Sequence, residues 1–106
     1  MNTSPDREEP LRLATGIAAS LSAAADAWPD QIAVAEPERR GRRPLKYQTI
    51  TFAELDRRAT AIATGVRRAG VEPGMRISLM VPPGIDFVAW VWGLLRAGSV
   101  TVLIDP

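Results

Sequence analysis

Apolar residues are most concentrated in the last third of the chain, where two short runs flank a longer one. The runs at residues 76–81 and 100–104 have the length and near-continuous hydrophobicity of parallel strands that are buried on both faces. Residues 84–97 between them are sufficient for the crossover of about a dozen residues that parallel strands require. The pattern therefore predicts a strand, a helix and a strand in one right-handed βαβ unit.

The crossover helix of this unit has almost no polar face. Its large apolar side chains are Phe87, Val88, Trp90, Val91, Trp92, Leu94 and Leu95. A helix that is apolar all round packs on more than one side, because burying each large side chain is worth about 1.5–3 kcal/mol. We expect the chain to cover one face of this helix with its own sheet and to have little left for the other. The sequence thus indicates a part of a larger structure.

The clearest helical pattern lies at residues 51–70. Thr51 and Glu54 have the spacing of a capping box, in which the Thr hydroxyl accepts a hydrogen bond from the amide of the Glu and the Glu carboxylate reaches back to the start of the helix. An apolar stripe follows at helical spacing, made of Phe52, Leu55, Ala59, Ile62, Ala63, Val66 and Ala69. Gly70 stands where a left-handed residue ends a helix. Glu54 could be taken for a catalytic acid, but its position favours the role of a cap.

The N-terminal part of the chain predicts a helix and a hairpin. Apolar residues recur three and four apart from about Thr15 to Trp28, and Pro29 ends the pattern. Residues 1–14 show no periodicity, and we expect them to form a mobile tail. Residues 31–35 and 46–51 are short strand candidates.

The loop between these two strands contains four arginines in five positions, Arg39, Arg40, Arg42 and Arg43. Such a cluster can contact phosphate or nucleic acid. The loop has no aromatic residue for base stacking, however, and two glutamates offset part of its charge. A solvated hairpin loop is therefore favoured over a nucleic-acid contact.

Composition limits the chemistry that the chain can carry. It has 106 residues, 46% hydrophobic and 24% charged, with a net charge of +1, so we expect one small globular unit without a nucleic acid as partner. It contains neither Cys nor His, which excludes disulfides, common zinc sites and Ser-His or Cys-His nucleophile pairs built from these residues. The apolar runs are shorter than the ~18 residues of a membrane span, and the N-terminus does not resemble a signal peptide. We expect a cytoplasmic location.

The residues do not assemble a defensible active site. Ligands of open parallel sheets bind beyond the carboxyl ends of the strands, where this sequence has Pro-Pro-Gly at residues 82–84 and Asp-Pro at residues 105–106. The first segment has one glycine and two residues without amide donors, so it is a poor phosphate cradle. Asp105 has no partner group, and Asp86 fits the first turn of a helix. We expect no catalytic, cofactor-binding or metal-binding residue in this chain.

Three segments follow one another in a characteristic order: WPDQIAV at residues 28–34, ITFAEL at residues 50–55 and LLRAGSVTVLIDP at residues 94–106. They resemble the N-terminal part of the adenylate-forming superfamily, which comprises AMP-forming acyl- and aryl-CoA synthetases, nonribosomal peptide adenylation domains and luciferases. The resemblance spans roughly residues 17–106. ITFAEL is similar to the first recurrent motif of the family, and the third segment is similar to the second motif.

Two departures from the common pattern of the family stand out. Many members have Pro where this chain has Leu103, and Asn-Ser where it has Pro83-Gly84. The combination of MVPPG with VLIDP looks most like the fatty-acyl-activating branch that includes the β-lactone synthetases of olefin biosynthesis.

The resemblance implies an α/β fold, a partial N-terminal subdomain of the AMP-forming synthetase fold with a parallel βαβ unit, an N-terminal helix and a short β-hairpin. Residues 15–106 would be the incomplete N-terminal portion of an AMP-binding (adenylation) domain. The parent would be an ATP-dependent, AMP-forming ligase, with ATP and Mg²⁺ as cofactors. It would convert a fatty acyl or related carboxylic acid into an acyl-adenylate and pyrophosphate, and a second nucleophile such as CoA would displace AMP.

In the family pattern the ATP-binding residues come after the position of Pro106, so none can be carried onto this chain. The resemblance therefore implies that these residues alone are inactive, bind no cofactor, and have the rest of the adenylation domain as their partner. Two other functions stay open. One is a small interaction module that docks through the apolar Trp90/Trp92 helix. The other is a stand-alone nucleotide-binding domain, which ATP would stabilise against unfolding.

Overall fold

The computed structural model describes the backbone of residues 5–38 and 46–104, and the side chains of these residues from position 16 onwards. The elements in chain order are α1 (Pro5–Ala27), β1 (Ile32–Pro37), β2 (Tyr47–Thr51), α2 (Phe52–Arg68), β3 (Arg76–Leu79), α3 (Ile85–Arg96) and β4 (Val100–Leu103). The described strands form two separate two-stranded sheets, β1–β2 and β3–β4. The predicted α/β class, with its hairpin and its βαβ unit, is confirmed.

The first helix begins earlier than the sequence predicted. α1 starts at Pro5, so residues 5–14, which were assigned to a tail, are helical. Proline suits the first turn of a helix, because its fixed φ is helical and its missing N–H would have no partner there. Apolar periodicity misses this stretch because it is rich in charged residues, although Leu, Arg and Glu are good helix formers. Residues 1–4 of the predicted tail lie outside the described residues.

The predicted hairpin is confirmed as an antiparallel pair. β1 and β2 are in register from Ile32 opposite Thr51 to Pro37 opposite Tyr47, with one irregularity after Ile32. The Glu38 amide donates to the Lys46 carbonyl at 2.7 Å and continues the ladder beyond β1. The arginine cluster at residues 39–43 lies outside the described residues.

The second helix begins at the predicted position, with the N-cap hydrogen bond of the capping box in place. The Glu54 amide donates to the Thr51 hydroxyl at 3.2 Å, and Thr51 has the extended backbone of an N-cap. At the other end Gly70 adopts a φ of 105°, a conformation that residues with a Cβ rarely adopt. Both ends of α2 are therefore encoded locally.

The βαβ unit is parallel, with Arg76 opposite Val100 and Leu79 opposite Leu103. Its strands differ from the prediction in one respect, because they are not buried on both faces. Val100 is 39% exposed, Val102 41% and Leu103 59%. Helix α3 packs against β4, and α1 and α2 pack against α3. Val100 and Val102 lie on one face of the sheet, because side chains alternate along a strand, and this face is exposed in the described structure.

The main cover of α3 is α2, and not the sheet as the sequence led us to expect. The buried core joins α1, β2, α2 and α3 through Leu21, Ile50, Leu55, Ala59, Ile85 and Ala89. The two helices approach closely at small residues. A Cβ added to Gly93 would lie 2.5 Å from Cγ2 of Ile62 and 3.1 Å from the Ala59 carbonyl oxygen. This close approach buries the α3 face that the short strands leave uncovered.

Candidate functional site

The carboxyl end of β3 carries a negative charge at the point where a phosphate would bind. The Pro-Pro-Gly segment connects β3 to α3, and Gly84 is the N-cap of α3 without a side-chain cap of its own. The Glu36 carboxylate of β1 occupies the space where a Cβ on Gly84 would lie. The positive end of the helix dipole favours an anion there. The chain thus places one of its own carboxylates beside residue 84, and the absence of a phosphate cradle at residues 82–84 stays a prediction.

The two carboxylates considered as catalytic acids have structural surroundings. Glu54 is exposed and belongs to the first turn of α2. Asp86 is in the first turn of α3 and lies 3.5 Å from Nη1 of Arg58, with side chains that are 81% and 54% exposed respectively. An ion pair with this exposure contributes little to stability. Asp105 lies outside the described residues.

The two tryptophans of α3 do not form one docking surface. Trp92 packs against the core cluster, whereas Trp90 is 37% exposed. A change at Trp92 would therefore disturb the core as well as any surface. The structure separates the two residues on which the interaction-module hypothesis depends.

A polar cluster that sequence reasoning missed joins the three helices. Arg96 of α3 donates through Nη1 to the Asp56 carbonyl at 2.9 Å and to the Thr60 hydroxyl at 2.8 Å. Its Nη2 donates to the Ser22 hydroxyl of α1 at 2.9 Å and to the Asp56 carboxylate. We call Ser22, Asp56, Thr60 and Arg96 the Arg96 cluster. Its signal in the sequence is a single arginine at the end of an otherwise apolar helix.

The Arg96 cluster is held by contacts within the chain. The Arg96 side chain is only 13% exposed, and its donors are directed at partners within the chain. A cavity of about 560 Å³ beside it is lined partly by Arg67, Pro73 and Leu95. Arg67 donates to the Arg96 carbonyl at 3.0 Å. Both guanidinium groups are therefore engaged within the protein.

A second cavity, of about 260 Å³, is mainly apolar. It is lined by Ser20, Leu21, Ala24, Ala33, Val34, Phe52, Leu55, Val88 and Trp92. It lacks the convergent polar groups that orient a small ligand in a typical pocket. One buried hydroxyl elsewhere, that of Thr101 on β4, has no hydrogen-bond partner among the described residues.

The described part of the chain contains no group of three His, Cys, Asp or Glu side chains arranged to hold a metal ion. None of its helices combines the length and the hydrophobicity needed to cross a membrane. Of the residues that the sequence singled out, Thr51 caps α2, Asp86 forms an ion pair with Arg58, and Trp92 packs against the core.

Comparison with known proteins places this arrangement in a family. The family model of the AMP-binding enzymes matches residues 21–106. An olefin beta-lactone synthetase from Xanthomonas campestris is 42% identical over 92 residues, which are 85% of this chain and 16% of that protein. A salicyl-AMP ligase / salicyl-S-ArCP synthetase from Mycobacterium tuberculosis is 41% identical over 86 residues, 81% of this chain and 14% of that protein.

The fold of this chain is also similar to that of a solved structure of a related enzyme. A fatty acyl-adenylate ligase from Legionella pneumophila, in complex with acyl adenylate and pyrophosphate, has a TM-score of 0.76 at 27% identity. The similarity covers 84% of this chain and 15% of that one. The resemblance that the sequence motifs indicated is confirmed, and the chain spans only 14–16% of the length of the two curated relatives named above.

Proposed function

Since the chain belongs to the family of AMP-binding enzymes, we propose that it forms the N-terminal part of an ATP-dependent, AMP-forming ligase. Such a ligase joins a carboxylic acid to AMP and releases pyrophosphate. The family match over residues 21–106 carries the proposal. The likeness in fold to a fatty acyl-adenylate ligase supports it independently.

Within that enzyme these residues have a structural role. They contribute no catalytic, cofactor-binding or metal-binding side chain, and ATP and Mg²⁺ bind to the rest of the adenylation domain. Two contacts support this assignment. The Glu36 carboxylate occupies the N-terminus of α3, where a phosphate would otherwise be favoured, and the guanidinium of Arg96 is directed at Asp56, Thr60 and Ser22.

The acid that the parent enzyme activates is a fatty acid or a related carboxylate. The support for this class comes from the names of similar proteins, which include the fatty acyl-adenylate ligase of Legionella pneumophila and the olefin beta-lactone synthetase of Xanthomonas campestris. The second nucleophile, such as CoA, and a cytoplasmic location belong to the same proposal. Acid-dependent pyrophosphate release by the native polypeptide that contains these residues tests it, with long-chain fatty acids compared with salicylate.

A chimera tests whether these residues can serve as the start of an adenylate-forming domain. Residues 21–106 replace the aligned stretch of the Mycobacterium tuberculosis salicyl-AMP ligase, which is 41% identical here. We expect the chimera to release pyrophosphate in the presence of ATP and salicylate. A matched chimera with Leu94→Asp, which places a charge at a core position, is expected to be inactive. A folded but inactive first chimera would contradict the proposal.

The stand-alone nucleotide-binding alternative is tested on the 106-residue chain itself. A ligand that binds only the folded state raises the melting temperature by mass action. We expect no rise with millimolar ATP. A dose-dependent rise would contradict the assignment of ATP binding to the rest of the domain.

A further inference from the structure

Two side chains of β1 are directed towards α3. Val34 and Glu36 are partly buried and Ala35 between them is exposed, as the alternation of side chains along a strand requires. Val34 lines the apolar cavity of about 260 Å³ together with Val88 of α3. The two residues from there to Glu36 advance the strand by about 7 Å, and the four residues back to Gly84 span about 6 Å of helix. The strand thus brings the carboxylate of Glu36 against Gly84.

The contact between Glu36 and Gly84 depends on the missing side chain at residue 84. A Cβ added there would lie 2.9 Å from Cδ of Glu36 and 3.4 Å from its Oε2 atom. Gly84 is the N-cap of α3 but makes no side-chain hydrogen bond to the first amides of the helix. The carboxylate of a residue that is distant in sequence stands at this positive end of the helix dipole instead.

The two strands of the hairpin are attached to the helices in different ways. Ile50 of β2 is buried, and β2 continues directly into α2. β1 contributes Ala33 and Val34 to the edge of the core, but both also line the 260 Å³ cavity, and a void loses the dispersion contacts that packed atoms would make. Glu36 therefore provides a polar attachment of β1 to α3 beyond this cavity, in the direction of the hairpin tip. We call the end where Pro37 lies opposite Tyr47 the tip.

We propose that Glu36 and Gly84 form a clasp between the hairpin and the βαβ unit, and that breaking the clasp opens the tip while the helical core stays folded. The base of the hairpin stays attached, because the Phe52 amide donates to the Gln31 carbonyl at 3.0 Å. Opening of this kind is a local event with a smaller free energy than global unfolding. The clasp therefore controls access to the apolar cavity beneath β1. This inference does not depend on the proposed function.

Native-state hydrogen exchange of the 106-residue chain tests the clasp. The Glu38 amide, which donates to the Lys46 carbonyl at 2.7 Å, reports on the tip, and the Phe52 amide reports on the base. Glu36→Ala should accelerate exchange at the tip by at least about fivefold and at the base by less than about twofold, because the opening is confined to the tip.

Asp86→Ala is the matched control for the loss of charge. Asp86 is also a carboxylate at the start of α3, but its partner is the exposed Arg58 of α2. We expect this variant to change exchange at the tip by less than about twofold. An acceleration equal to that of Glu36→Ala would overturn the clasp, because any lost charge at this helix end would then have the same effect.

Gly84→Ala breaks the same contact from the other side. It should accelerate exchange at the tip about as much as Glu36→Ala does, because the new Cβ displaces the carboxylate. In the double variant the second change should add nothing at the tip, since both remove one interaction. Additive accelerations would overturn the proposal. Equal acceleration of tip and base in Glu36→Ala, or unfolding of that variant, would also overturn it, because the loss would then be global.

Discussion

The pair of helices α2–α3 and the pair of strands β3–β4 are made from neighbouring parts of one chain but are buried to different extents. At the helix pair Ala59 is 0% exposed and Leu55 2%, and both belong to the core cluster that includes Ile85 and Ala89 of α3. At the strand pair Val100 is 39% exposed and Val102 41%, and the two side chains share one face of the sheet. Both pairs are rich in apolar residues, so hydrophobicity alone does not decide which of them forms the core.

The difference in burial follows from how many neighbouring elements a helix or a sheet needs to cover its apolar faces. A helix has its backbone hydrogen bonds within itself and needs only one neighbour for each apolar face, which α2 supplies to α3 through small residues. A parallel sheet needs a layer on each face, and a single βαβ unit supplies only one of them. The chain can therefore complete its helical core while one face of its strand pair stays open.

The largest expected effect comes from shortening a leucine in each region. Leu55→Ala should lower the free energy of unfolding by about 2–5 kcal/mol, because it leaves a cavity in the packed core of the helix pair. Leu103→Ala should lower it by less than about 1 kcal/mol, because most of that side chain is already in water. Urea unfolding of both variants measures the difference. Equal losses would mean that the strand pair is as well packed as the helix pair.

The next effect comes from the Arg96 cluster, whose partly buried ion pair can be compared with an exposed one. Arg96→Ala should lower the free energy of unfolding by about 1–3 kcal/mol, because it removes the donor that the partly buried Asp56 shares with α3. Arg58→Ala, which removes only the exposed pair with Asp86, should cost less than about 0.5 kcal/mol.

Urea unfolding of the Arg96 variants also distinguishes geometry from charge. Arg96→Lys should recover only part of the loss, since an ammonium group cannot replace the planar fork that reaches Ser22 and Asp56 together. Full recovery by lysine would contradict the role given to that fork.

Local signals predicted the elements of this chain well. Thr51 and Glu54 predicted the start of α2, and the two apolar runs predicted the parallel pair β3–β4. Each of these signals is read within a short segment of the chain. The start of α1 at Pro5 was missed because a charged helix lacks an apolar period.

Contacts between distant residues could not be predicted in the same way. Arg96 meets Ser22 across 74 residues and Asp56 across 40, and neither pairing has a periodicity of its own. The Glu36 carboxylate beside Gly84 likewise depends on how the hairpin lies against α3. The prediction of no active site could be made from the sequence alone, because the absence of His and Cys is read without knowledge of the fold. It could not show that α2, rather than the sheet, would cover α3.

Two helical glycines give the smallest and most local comparison. Gly93→Ala should lower the free energy of unfolding by about 1–3 kcal/mol, because the new Cβ would lie 2.5 Å from Cγ2 of Ile62 and close to the backbone of Ala59. Gly65→Ala, on α2 with nothing within 4 Å of the new Cβ, should raise it by about 0.5–1 kcal/mol through helix propensity. Both changes add one methyl group to a helix, so opposite signs in urea unfolding would isolate the close approach of α2 and α3. If both variants were stabilised, the helices could separate without loss, and the contrast between the two pairs would not arise from their packing.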